Sequence, residues 1–102
     1  MISPYDVFTP SGATVTVAVI SGGSSGGPVG GVGNVLRFAN VGATECFVST
    51  SADNDPPADP ATSFSVPGNT IAFLSVGPTA LTVDAITAAG TTTLRITRGS
   101  LG

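Results

Sequence analysis

Apolar and polar residues alternate with a period of two along most of this chain, and helical periodicity is absent. Residues 13–20 place Val15, Val17 and Val19 on one face and Thr14, Thr16 and Ala18 on the other. Residues 34–40 set Leu36 and Phe38 opposite Val35, Arg37 and Ala39. A short Val41-Gly42-Ala43 turn leads into a further strand over 44–50. Pro67-Gly68-Asn69 is a strong turn signal between strands at 63–66 and 70–76. Leu81, Val83 and Ala85 share a face within 80–87. In 91–98, Leu94 and Ile96 point one way and Thr93, Arg95 and Thr97 the other. About seven to eight short strands at such spacing predict an all-β fold, an antiparallel β-sandwich or jelly roll. The joining turns are too short for crossover helices, and an immunoglobulin-like sandwich would need a Cys–Trp–Cys signature that is missing.

The strand at 70–76 departs from simple alternation. Ile71 and Phe73 face one way and Ala72, Leu74 and Val76 the other, so both faces are apolar. A sandwich strand has one inner face. The pattern therefore predicts an interface at Ile71, Phe73, Leu74 and Val76, or a central strand whose second face is covered by residues 1–12 or 21–33. Tyr5 and Phe8 are the large anchors of an extended N-terminal segment, 1–12, and join the candidate interface.

Two further segments break the rhythm. Residues 21–33, SGGSSGGPVGGVG, read as a mobile Gly-rich loop, because glycine supplies no side-chain contact and raises the entropy cost of order. Residues 51–62 hold three prolines and three aspartates, which precludes a regular central strand. No internal repeat is evident. Met1 opens the sequence, and residues 1–102 read as one complete β domain of modest core.

Composition narrows the function. Charged residues make up 9 % of the chain against about 25 % in an average soluble domain. A charge-poor surface desolvates cheaply, which suits a protein that works in an assembly. Net charge is −3, and there is no Lys, His or Trp. Arg37, Arg95 and Arg98 are the only cations and form no sequence cluster, so neither nucleic acid nor an anionic membrane surface is an expected partner. The N-terminus lacks the pattern of a secretory signal, and no apolar run is long enough for a membrane span. A single cysteine, Cys46, excludes an internal disulfide and fits synthesis in a reducing cytosol.

Candidate chemistry fares poorly. The Gly-rich stretch lacks the Lys of a phosphate-binding loop, and Gly31-Val32-Gly33 leads into a strand where the dinucleotide motif needs a helix. Asp53, Asn54, Asp55 and Asp59 supply hard oxygen ligands, yet Pro57 stands where an EF-hand needs a ligand; a solvated loop is the simpler reading. Cys46 has no histidine to activate it and reads as a small buried residue. Its face depends on register. Pairing Asn40 with Thr44 sends Cys46 and Val48 inward, and a one-residue slip sends Phe47 inward instead. No serine has a His or Lys base, and the acids lie mostly in one loop without aromatic platforms. The expectation is no enzyme, no cofactor and no metal.

From residue 36 onward the sequence resembles small β-sandwich virion proteins of tailed phages, the head decoration, capsid cement and head-fibre-like proteins. The residues that carry it are Leu36-Arg37-Phe38-Ala39-Asn40-Val41-Gly42, Cys46-Phe47-Val48, Val66-Pro67-Gly68-Asn69-Thr70, Val83-Asp84-Ala85-Ile86, Gly90, and Leu94-Arg95-Ile96-Thr97-Arg98-Gly99. They form a hydrophobic framework and not a catalytic signature, and residues 21–33 have no counterpart. The resemblance implies a structural protein on the outer capsid surface of the virion. Its partners would be the major capsid protein and further copies of itself in a homo-oligomer, and its role would be capsid stabilisation. The alternative is a receptor-binding or fibre-associated module of the tail or head fibre.

Overall fold

The computed structural model describes residues 7–21, 25–29, 32–51, 63–76 and 81–101. Among these residues are nine strands: β1 (Phe8–Pro10), β2 (Val15–Ile20), β3 (Ser25–Val29), β4 (Val35–Asn40), β5 (Cys46–Ser51), β6 (Phe64–Val66), β7 (Thr70–Ser75), β8 (Leu81–Thr87) and β9 (Thr91–Leu101). They form two antiparallel sheets. The front sheet runs β1-β9-β4-β7, with β2 beside β1 along the same edge of β9, and the back sheet runs β3-β8-β5-β6. The pairs β2·β9, β3·β8, β4·β7 and β5·β6 are the rungs of one long nested hairpin rolled into a sandwich, which is the jelly-roll arrangement.

The alternation seen in the sequence sets the faces. Val17, Val19, Leu36, Phe38, Leu94 and Ile96 from the front sheet meet Cys46, Val48, Val66, Val83 and Ala85 from the back sheet. Cys46 and Val48 are therefore the inward residues of β5, and Phe47 lies half-buried outside. The register question is answered by a different route from the one expected, because β4 and β5 do not form a hairpin. The chain crosses from front to back sheet through residues 41–45, and again from back to front at the turn between β6 and β7. Asn69 takes φ 55° in that turn, a backbone state asparagine tolerates.

Two expectations need correction, on residues 25–29 and on β7. Residues 25–29 are not loop: β3 pairs with β8 from Ser25↔Ala85 to Val29↔Leu81. Backbone pairing needs no side chains, and Pro28 is accommodated because β3 is an edge strand. Within the N-terminal segment, residues 8–10 are strand β1 and pair with the far end of β9. Strand β7 is not central but forms one edge of the front sheet.

Candidate functional site

Among the described residues, exposed apolar groups, cations and an open groove coincide on the outer face of the front sheet. Cross-strand register puts Phe8 and Pro10 of β1, Val35, Arg37 and Ala39 of β4, Ile71, Phe73 and Ser75 of β7, and Arg95, Thr97 and Gly99 of β9 on that face. Opposed residues of neighbouring strands share a face, so this assignment follows from pairing alone.

One half of the face is covered. The Phe8 ring lies across Gly99 and meets Phe73, with ring centroids 5.7 Å apart. Gly99 makes room for it: a Cβ there would lie 2.8 Å from Phe8 Cζ and would overlap the Thr9 carbonyl. The Arg37 guanidinium stands 5.4 Å from the Phe8 centroid, close enough for a cation–π contact. Arg37 Nε is buried with no hydrogen-bond partner among the described residues. Under this cover Val35 is only 6 % exposed, and Thr97 meets Thr14 through their hydroxyls at 2.8 Å.

The other half is open. Ala39, Asn40, Val41, Asn69, Thr70 and Ile71 line a shallow groove of about 320 Å³. Ile71 is 58 % exposed and Val41 48 % exposed. Arg95, exposed, stands beside Ala39 in register. Of the described carboxylates, Glu45 lies just before β5 and Asp84 on β8, so neither stands in the front sheet with the three arginines.

The groove floor is fixed from below by Asn40. Its side chain, 2 % exposed, donates to the carbonyls of Thr44 (2.8 Å) and Val66 (3.1 Å) and accepts from Gly42 N (3.2 Å) and the Thr92 hydroxyl (2.6 Å). One amide thus ties the sheet crossing to β6 and β9. Gly42 packs so close to Thr92 that a Cβ would overlap the hydroxyl. Val41 N donates to Thr93 O at 3.0 Å, and Asn69 N to Gly42 O at 2.8 Å. The groove is preformed rather than assembled on contact.

Of the six expected interface residues, Phe8, Ile71 and Phe73 lie on this face. Leu74 and Val76 do not: they pack against the core, because even-numbered residues of β7 point inward. Tyr5 and the acidic stretch 52–62 lie outside the described residues. Sequence reading missed Ala39, Val41 and Asn40. The parity that placed Leu36 and Phe38 inward also placed Ala39 outward, but Val41 read as a turn residue.

The chemistry available is that of contact. Cys46 is fully buried, and its thiol is pushed up to about 11 by burial and by the neighbouring Glu45 carboxylate, so it stays protonated and unreactive near neutrality. Among the described residues no three His, Cys, Asp or Glu side chains gather as metal ligands, and no helix is long and apolar enough to cross a membrane. No family model, curated protein or solved structure matches this chain.

Proposed function

We propose that this chain is a virion structural protein of tailed phages, a decoration or cement protein that docks on the outer surface of the head and stabilises the shell. The observation that carries this reading is the open half of the front-sheet face. It pairs a preformed apolar groove at Ala39, Val41 and Ile71 with a single exposed cation, Arg95, and no described carboxylate. Such a surface suits docking on a neutral or acidic protein partner, here the major capsid protein. The resemblance of the hydrophobic framework to small phage β-proteins, and the jelly-roll topology, a fold common in capsid and lectin domains, add support. Stabilisation would follow from mass action, since a copy that binds assembled shell better than free subunits opposes shell disruption.

Deleting the protein should leave particles that assemble but release DNA at lower temperature or on osmotic shock. Because apolar contact dominates, retention on the particle should survive about 1 M salt, where screening removes only charge–charge terms. Unchanged particle stability together with lost host adsorption would instead favour a receptor-binding module.

A further inference from the structure

We infer that the free edge of β7 pairs with the β7 edge of a second copy, joining two front sheets into one continuous sheet. The backbone fixes which groups are available. Val76 N donates to Asn34 O at 2.7 Å, which continues the β4·β7 register and shows that even-numbered residues of β7 bond to β4. The N–H and C=O groups of Ile71, Phe73 and Ser75 therefore point away from β4. Among the described residues β7 pairs with no strand on that side.

The occupant follows from charge and symmetry. Residues 70–75, TIAFLS, carry no charge and no proline, so the edge lacks the usual guards against strand addition. An antiparallel edge is self-complementary about a two-fold axis, and a neutral strand opposes no like charges when it meets its own copy. An axis through Phe73 uses all three outward N–H groups of each copy and pairs Ile71 with Ser75 of its mate. The two Arg37 side chains then stand three strand spacings apart, about 14 Å, beyond the screening length at physiological salt. A contact of one strand is smaller than a standard interface, so association in solution is weak and concentration-dependent. This pairing is independent of the shell-binding reading and is tested on the purified protein alone.

Sedimentation over about 10 µM to 1 mM should show a monomer passing to a dimer. Ser75→Pro removes an outward N–H without touching a β4 bond or the groove and should hold the protein monomeric, whereas Ser75→Thr should dimerise like the parent. Should Ser75→Pro lose its β-sheet circular dichroism, Ser75→Lys serves in its place, setting a charge on the edge. Mixing Ile71→Cys with Ser75→Cys should give a disulfide-linked heterodimer, because such paired Cα atoms lie about 5.5 Å apart, and neither variant should cross-link alone. A parent that stays monomeric throughout, a dimer indifferent to both edge substitutions, or cross-linking equal in the single variants would each overturn the inference.

Discussion

The two halves of the front-sheet outer face are built from the same strands, yet one is sealed and the other bare. At the sealed half Phe8 lies over Gly99 and Phe73 and leaves Val35 almost inaccessible; at the bare half, four residues further along β4, Ala39 and its neighbours Ile71 and Val41 face outward. The difference comes from how far β1 reaches. It pairs only with Gly99, Ser100 and Leu101. The lesson is that burial on a sheet face is decided by what crosses it, not by how apolar the strand is.

The deepest break in that contrast would come from beneath. Asn40→Ala orphans two carbonyls, an amide N–H and a hydroxyl around the sheet crossing, and each buried unpaired group costs about 1–3 kcal/mol. The loss should reach roughly 3–5 kcal/mol, a large share of the stability of a small domain, and urea denaturation will read it directly. A loss under about 1 kcal/mol would mean that the groove floor is held by something else.

Phe8→Ala should erase the contrast by baring the sealed half. Truncation of a half-buried ring, with its Phe73 and Arg37 contacts, should cost about 2 kcal/mol, and amide exchange should quicken at Val35 and Thr97 while the Asn40 crossing stays protected. Uniform quickening across both halves would show that they are not separate.

Alkaline pH probes the core that both halves share. The Cys46 thiol ionises at 9.0 when unperturbed and at about 11 in the fold. Its contribution is whole below pH 9 and is lost as pH rises towards 11, since the unfolded chain then sheds the proton first. Cys46→Ala should lose stability at neutral pH but flatten this decline, which thermal unfolding at pH 8 and pH 10.5 would detect.

The smallest effect on stability belongs to the bare half itself. Ile71→Ser alters an exposed side chain and should move the unfolding free energy by less than about 0.5 kcal/mol while weakening particle binding. By contrast Leu74→Asp, on the same strand but packed against the core and half-buried, should cost several times more stability, because it sets a charge against apolar neighbours. Equal effects from the two would undo the face assignment.

Much of this fold was legible in the sequence. The parity of Val15, Val17 and Val19, of Leu36 and Phe38, and of Leu94 and Ile96 gave the inner faces correctly, because period-two alternation is a local property. Sheet membership was not legible. Val41-Gly42-Ala43 looks like a hairpin turn, and only long-range pairing, with β4 in the front sheet and β5 in the back and Asn40 bonded across to Val66, reveals a crossing between sheets. Strand β3 was hidden for the opposite reason, since glycines give no alternation while their backbone still pairs. Arg98 continues the inward parity of Leu94 and Ile96 and is 1 % exposed, with Nε donating to Gly33 O at 3.0 Å; its charge masked its position in the pattern. Half of the candidate site was foreseen through Ile71, Phe73 and Phe8, and the groove was not, because it forms where two distant segments, 39–41 and 69–71, meet.

The nested pairing of strands also sets a timetable. Strand β9 lies inside the front sheet, between β4 and the β1/β2 edge, although it is the ninth strand to leave the ribosome. Until it arrives, β2 has no partner in its sheet among the described strands and is separated from β4 and β7. Such long-range pairing folds slowly and exposes sticky intermediates. The front sheet therefore cannot close until β9 is available, and no lysine guards the strand edges that stay open in the meantime.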